Sequence, residues 1–537
     1  MFVLVGLLLQ LLLQHAAGNV VVFLVDDLGY GDLGCYGNES VDSMSIDRLA
    51  AGGVLFSQWL SASSICTPSR GALLTGRLPV RLGLASSDYK RRVFHPTSPT
   101  GLPHSEVTLA EVLRDRGGYM THISGKWHLG LGDYLPTSHG FDHFYGLGLT
   151  NVQSCMKDKS IYRQRYLWLF ILENTYAVWL SLLLIVCGAW YFGYGFWLWF
   201  VCVVLLFCGV VHFVGTYTFM NRGNCVLYRD RDIVQQPVEL YNLTQRLTYD
   251  AVGFIESAVA KGSPFFLFMS YAKVHTALFN IESFGEINYL NNIRELDWSV
   301  GKILHTLEKV GVENDTLVWF TSDNGPFKER FEEGGSSGPL RGAKGQIYEG
   351  GIRVPGIVRY PSRFSGGVAR RQPVSSMDIF PTTLDLLNLT YEQSNLDGKS
   401  LADMLLGRQV ESPHKVMFHY CGEELAAVRF DGRYKIVFAT PNWELGLECC
   451  PSASMCGCSG AAVTKHDPPL VFDLDNDIAE ANPLTLESAL AKRLNDALDR
   501  HRESFIRFPN QPNQMHLMQN PWLLPCCDPP KCACNKE

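Results

Sequence analysis

The chain has 537 residues, 46 Lys+Arg against 53 Asp+Glu, a net charge of −7, and 47% hydrophobic and 18% charged residues. This balance excludes a disordered chain, and without a Lys/Arg run it offers no footprint for nucleic acid. The length accommodates a large α/β core plus a smaller domain.

Residues 1–13 are almost wholly apolar and lead into Gln14-His15-Ala16-Ala17-Gly18, small residues of the kind a signal peptidase cuts after. Although a basic n-region is missing, 1–18 reads as a signal peptide. That places the chain in an oxidising compartment, so its 16 cysteines are disulfide candidates before they are metal ligands. Sequons at Asn38, Asn242, Asn314 and Asn388 agree with the secretory route and are candidate glycosylation sites.

Residues 19–25, Asn-Val-Val-Val-Phe-Leu-Val, predict a buried strand of a parallel sheet ending in Asp26-Asp27. Ligands of open α/β sheets bind beyond the carboxyl ends of strands, so this pair is placed for chemistry; a turn or helix cap is the plainer alternative. A helix follows at 46–52. The stretch 64–76 sets Cys66 two residues before Pro68 and four before Arg70, where a helix can open. Unpaired N–H groups and a cation at a helix start would activate a sulfur nucleophile; a buried loop cysteine is the alternative. An amphipathic helix at 108–116 and a strand at 119–124 lead into Gly125-Lys126-Trp127-His128.

Between 166 and 219 the composition changes. Residues 175–192 and 196–219 contain no Asp, Glu, Lys or Arg and are separated only by Gly193-Tyr194-Gly195, which predicts an antiparallel transmembrane hairpin in contact with lipid. Trp190, Tyr191, Tyr194, Trp197 and Trp199 cluster at its turn, as aromatics do at a membrane interface; a buried hairpin in a soluble core is the alternative. Cys155 and Cys225 bracket the hairpin, and a disulfide between them would clamp its base. Everything outside it is then lumenal or extracellular.

Beyond the hairpin come a helix at 244–260, a buried strand at 265–270, a helix at 293–310 and a strand at 316–321 ending in Ser322-Asp323-Asn324-Gly325. Buried strands that repeatedly end in acids, amides or a histidine argue for one shared site. A helix at 378–389, a boundary at 407–413 and short strands at 416–420, 427–430 and 434–438 complete the pattern. The resulting organisation is 1–18 signal peptide, 19–165 and 220–410 catalytic domain, 166–219 hairpin and 411–537 cysteine-rich subdomain. Cysteine spacings in that tail would suggest zinc in a cytosolic chain, but the compartment favours disulfides.

Asp26, Asp27, Asp323 and Asn324 are hard oxygen donors suited to Ca²⁺. Arg70, Lys126 and Lys344 are candidate anion clamps, and His128 and His275 candidates for proton transfer. Asp32, His122, His139 and His143 read as structural.

The stretch Cys66-Thr67-Pro68-Ser69-Arg70 resembles the signature of the sulfatase family. Asp26 to Asp32, Gly118 to His128, Val274-His275-Thr276-Ala277-Leu278, Thr321 to Gly325, and Lys344 followed by Glu349 to Pro355 resemble further family segments. The hairpin and the cysteine-rich tail narrow the resemblance to the membrane-associated arylsulfatase branch that includes the steroid sulfatases. Departures are few: Ser43-Met44-Ser45 stands where the family has Thr-Pro-Asn, and one cysteine pair before the hairpin is missing.

The resemblance implies an alkaline-phosphatase-like α/β core with a mainly parallel or mixed sheet, a smaller C-terminal α+β domain and the inserted hairpin. It implies hydrolysis of aryl or steroid sulfates by a formylglycine made from Cys66 by the formylglycine-generating enzyme, with one Ca²⁺ held by Asp26, Asp27, residue 66, Asp323 and Asn324. Asp323 would assist the attacking hydroxyl, His275 and Lys344 would hold sulfate and assist the leaving group, and His128 would take the proton of the second hydroxyl. Arg70 and Lys126 would stabilise the formylglycine and the sulfate charge. It also implies the pairs Cys421–Cys458, Cys450–Cys456, Cys526–Cys532 and Cys527–Cys534, with Cys449 left over, and a secretory-pathway membrane, the endoplasmic reticulum foremost. A phosphatase or phosphodiesterase of the related superfamily would carry Ser or Thr in place of Cys66. A membrane glycoprotein using the fold only to bind is the non-enzymatic alternative.

Overall fold

The structure, a computed structural model, describes residues 18–86, 93–150, 223–391, 395–442, 457–505 and 521–537, with Cys155, residues 508, 509 and 511 and scattered positions between 184 and 209. Among them the main sheet is built from β1 (Asn19–Val25), β2 (Val54–Leu60), β3 (Met120–Lys126), β4 (His143–Leu147), β5 (Leu227–Arg229), β6 (Asp232–Gln236), β7 (Phe265–Ser270), β8 (Thr316–Ser322), β9 (Arg353–Arg359) and β10 (Val368–Arg370). Their order across the sheet is β10-β2-β9-β8-β1-β7-β3-β4-β5-β6, with Cys534–Asn535 on the outer edge of β6.

β1 is buried along its whole length and parallel to both neighbours, β7 and β8; β3 is parallel to β7. Four adjacent strands therefore end at one edge. Side chains alternate between faces with period two. Val20, Val22, Leu24, Phe266, Phe268 and Trp319 enter one apolar cluster, and Val21, Phe23, Val25, Leu267, Met269 and Phe320 the other. The helices Leu243–Ala260 and Tyr289–Lys309 cover the second face through residues such as Leu247, Ile255, Leu296 and Val300. Leu113 of Leu109–Gly117, Leu73 of Cys66–Thr75 and Leu384 of Ile379–Leu386 pack on the first. Cover on both faces is why β1 and β7 read as near-continuous apolar runs. The helix Leu109–Gly117 opens with a reciprocal cap, Thr108 with Glu111.

Two core strands escape a reading from composition. β9 contains Pro355-Gly356, a pair that signals a turn, yet it runs antiparallel between β8 and β2. Gly356 is required there because a Cβ would stand 2.2 Å from Cγ of Trp59. A second, antiparallel sheet contains Val416–Cys421, Glu424–Phe430, Tyr434–Pro441 and Val463–Asp473, with Leu494 and Ala497 of the helix Ser488–Glu503 packed on it. Its fourth strand is masked in the sequence by Pro468-Pro469.

Disulfides join Cys155 to Cys225, Cys421 to Cys458, Cys526 to Cys532 and Cys527 to Cys534. Cys449, Cys450 and Cys456 lie outside the described residues. Asn314 and Asn388 are exposed, whereas Asn38 and Asn242 are half-buried, and the Asn38 amide donates to the Gly31 carbonyl at 2.9 Å. The signal segment and most of the hairpin also lie outside the described residues, among which no helix is long and apolar enough to cross a membrane. Leu184, Tyr191, Phe200, Val201, Val204, Leu205 and Phe207, which are described, are helical and exposed.

Gly125 sits at φ +121°, and a Cβ there would stand 1.7 Å from the Ser270 carbonyl oxygen. Gly125→Ala is expected to cost about 3 kcal/mol or more, read as a large drop in melting temperature or loss of folded protein. A melting temperature within 1 °C (roughly 1 kcal/mol for a chain of this length) of the parent would contradict this packing.

Candidate active site

The register Val25↔Ser322 sets the residues that follow β1 and β8 side by side. One ligand atom from each of Asp26, Asp27, Cys66 and Asp323 lies within 4.8 Å of all the others, and all four residues are buried. Cys66 is the first residue of its helix, and its Sγ is 3.5 Å from Asp26 Oδ1. Asn324 donates through Nδ2 to Asp27 Oδ1 at 2.7 Å, leaving its own Oδ1 buried without a hydrogen-bond partner. Asp27 and His128 both adopt left-handed backbone, φ 61°, an uncommon conformation for such residues that is concentrated at functional sites.

Three cations close on the carboxylates. Lys126 Nζ donates to Asp26 at 2.5 Å, Lys344 Nζ to Asp27 at 2.6 Å, and Arg70 Nε to Asp323 at 2.9 Å. Arg70 also donates to the Lys126 carbonyl and to Ser270 Oγ, while its Nη2 is buried without a partner. Both ring nitrogens of His128 are likewise buried and unpartnered. His275 Nε2 lies 3.7 Å from Asp27 Oδ2. Lys344 further packs its ammonium 5.0 Å from the Phe327 ring.

Burial opposes the charge on Asp26, but the Lys126 ammonium foremost, with His275, Arg70 and Lys344, holds its carboxyl well below the usual range. Burial and the neighbouring Asp26 push Asp323 up to about 6. Burial, then Lys126, drives His128 well below its ordinary value, and burial, then Lys344, takes His275 down to about 4. Burial pushes the Cys66 thiol up to about 12. This corrects the expectation of an activated thiolate: the helix start is present, but Arg70 is turned to Asp323 and burial outweighs the cations.

Asp32 is structural: it accepts from Gly29 N, Ser336 N and Tyr289 Oη and ties the Asp26 loop to the 335–338 turn. His122 pairs with Asp250 at 2.7 Å, His139 stacks against His104, and His143 is exposed. The sequence reading misses Ser270, Thr150 and Glu329 and places Thr67 only within the Cys66 stretch. Ser270 carries Arg70, Thr67 donates to the His128 carbonyl, Thr150 reaches Asp26, and Glu329 lies on a turn beside Phe327. Hydroxyls at strand or helix ends carry no sequence signal of their own; Ser270 alone is flagged by its place at the end of a buried strand.

A buried set of three carboxylates, an orphaned amide oxygen and three cations at the carboxyl edge of a parallel sheet fits a hard cation and an oxyanion together. Fold and site define a hydrolase of the alkaline-phosphatase-like class. The family profile "Sulfatase" matches residues 18–389, and "C-terminal region of aryl-sulfatase" matches 412–534. The chain is 39% identical to human steryl-sulfatase, covering 98% of this chain and 95% of that protein, and 39% identical to human arylsulfatase H, covering 98% of each. The crystal structure of the PsFucS1 sulfatase from Pseudoalteromonas sp. superposes with a TM-score of 0.71 at 26% identity, covering 92% of each chain. The chain belongs to the sulfatase family and is a sulfuric ester hydrolase.

The Glu329 carboxylate is buried, and burial pushes the group up from 4.5 to about 7 against its own backbone N–H, Lys344 and Arg330. A carboxyl whose folded value exceeds its unfolded one destabilises the protein increasingly as pH rises from about 4.5 to 7. Glu329→Gln is therefore expected to match the parent in melting temperature near pH 4.5 and to exceed it at pH 8, by about 3 kcal/mol in stability. An equal difference at both pH values would contradict the assignment.

Proposed function

We propose that the chain is a membrane-anchored sulfatase with a lumenal catalytic domain, hydrolysing aryl or steroid sulfates to the phenol or alcohol and inorganic sulfate. The observation that carries this reading is the convergence of Cys66 with Asp26, Asp27 and Asp323 in one buried cluster. Similarity to human steryl-sulfatase over nearly the whole chain supports the substrate class. The cysteine is read as the precursor of a formylglycine made by the formylglycine-generating enzyme, its Sγ standing where the oxygens of the modified residue lie. Ca²⁺, one per site, would be held by Asp26, Asp27, residue 66, Asp323 and Asn324, and supplies charge neutralisation at the sulfuryl oxygens. The hydrated aldehyde would supply one hydroxyl as nucleophile toward sulfur and a second whose deprotonation would release sulfate, whereas a thiolate would be trapped as a stable thiosulfate.

Around that residue the chain's own groups divide the work. Arg70 and Lys126 hold the modified side chain and share the sulfate charge. Asp323, close to Cys66 and paired with Arg70, is placed to accept the proton of the attacking hydroxyl. Lys344 and His275 bind the sulfate and assist the leaving oxygen. His128, neutral and unpartnered, is free to take the proton of the second hydroxyl.

The hairpin at 166–219 is read as the anchor, supported by its two charge-free runs and by the exposed, helical apolar residues described within it. The disulfide Cys155–Cys225 closes its base. A site held near a bilayer suits amphiphilic sulfates, and the endoplasmic reticulum is the compartment favoured, with glycans at Asn314 and Asn388 first among the sequons for their exposure.

Peptide mass spectrometry across residues 64–70 of the protein from its native cells is expected to find position 66 lighter than cysteine by about 18 Da, and Cys66→Ala is expected to fold while losing turnover by at least about 1000-fold. Unmodified Cys66 in active protein, or substantial turnover by the alanine variant, would overturn the reading.

A further inference from the structure

The loop that carries Lys344 is tied to both sheets, its Gly351 carbonyl accepting from the Gly325 N–H beyond β8 at 3.0 Å. Within the main body, the Lys344 N–H donates to the Pro326 carbonyl at 2.9 Å and the Gly345 N–H to Ser64 at 2.8 Å. From there the chain turns into the C-terminal domain. Ile347 enters an apolar cluster with Cys421, Ala427, Val437, Cys458 and Phe472. Its carbonyl accepts from Lys435 Nζ at 2.7 Å. The same ammonium pairs with Glu349 at 3.1 Å and Glu480 at 2.8 Å. Arg429 donates to Glu349 at 3.0 Å, Glu480 accepts from the Glu349 N–H at 2.7 Å, and its carbonyl accepts from Arg341 at 2.7 Å. The side chains of Glu349, Arg429, Lys435 and Glu480 are all 0% exposed.

Burying four ionisable groups beside a loop is a costly way to join two domains, since desolvation offsets the attraction between the charges unless geometry is fixed on every side. Here it is fixed, and the fixed object is a segment of eleven residues, 341–351, with Lys344 near its start. We propose that the C-terminal domain positions Lys344 for sulfate, with Lys435 as the positioning residue that locks the 341–351 loop through Ile347, Glu349 and Glu480. This rests on the sulfate-binding role given to Lys344 above. Lys435 touches no reacting atom; it acts through the loop.

A double-mutant cycle tests this on the full chain, with turnover of a chromogenic aryl sulfate and its inhibition by inorganic sulfate as the readouts. Lys435→Met is expected to weaken inhibition by sulfate at least about 10-fold, equivalent to 1.4 kcal/mol, and to lower kcat/KM. In a Lys344→Ala background the same change is expected to weaken it less than about 3-fold, because the group being positioned is gone. Lys435→Arg is expected to recover part of the loss. Val428→Ala, in the apolar cluster on the other face of the same sheet, is expected to lower the melting temperature without altering inhibition by sulfate. Should Lys435→Met fail to accumulate as folded protein, Arg341→Ala, which removes the loop's bond to the Glu480 carbonyl, carries the same cycle.

An unchanged inhibition constant in Lys435→Met, or a loss of equal size with and without Lys344, overturns the proposal. A Lys344→Ala variant that binds sulfate as the parent does overturns the role of Lys344 itself, and the positioning proposal with it.

Discussion

The structure depends on an electrostatic constraint: Asp26, Asp27 and Asp323 are forced together by the pairing of β1 with β8. Two carboxylates at about 4–5 Å repel by roughly 3–4 kcal/mol in a partly polarisable interior, and burial adds to the cost. Arg70, Lys126 and Lys344 each arrive from a different element, the helix after β2, the end of β3 and the loop before β9, to meet one of the three. Even so the balance is incomplete. Asp323 is still pushed up to about 6, and Asn324 Oδ1 is still without a partner. A further hard cation among these oxygens completes the charge and the hydrogen-bond inventory in one step.

Charge balance also explains why the site is so well fenced. Arg70 can address Asp323 only because Ser270 and the Lys126 carbonyl fix its guanidinium, which leaves Nη2 for an anion. The Asp27 and His128 backbones adopt left-handed conformations just beyond the ends of β1 and β3. Lys344 is the exception, because the loop bearing it leans on a second sheet. On the positioning proposal, the C-terminal domain is part of the catalytic apparatus.

Much of this was legible from residues alone. Continuous apolar runs such as residues 19–25 and 265–270 can only be strands covered on both faces, and the polar residues that follow them had to share an edge. Most of the candidate set was legible because those members sit within a few residues of such a strand end or in the Cys66 stretch; Lys344, on the loop before β9, does not. What escaped was decided by contacts between distant segments. β9 hides behind Pro355-Gly356 because a tryptophan ring from β2 demands the glycine, and Val463–Asp473 behind two prolines. Ser270, Thr67 and Thr150 matter only for the partners that folding brings to them. The thiolate expectation for Cys66 failed for a related reason: a sequence shows a neighbouring arginine but not the carboxylate that claims it.

The central claim is that the three carboxylates and Asn324 form a site for one hard cation. Isothermal titration of the metal-stripped full-length protein with Ca²⁺ tests it without reference to turnover. The account predicts one Ca²⁺ per chain for the parent, with binding lost or weakened at least about 100-fold, equivalent to 2.7 kcal/mol, in folded Asp27→Asn and Asn324→Ala variants. A folded parent that takes up no Ca²⁺, or variants that bind it as tightly as the parent, would contradict the account.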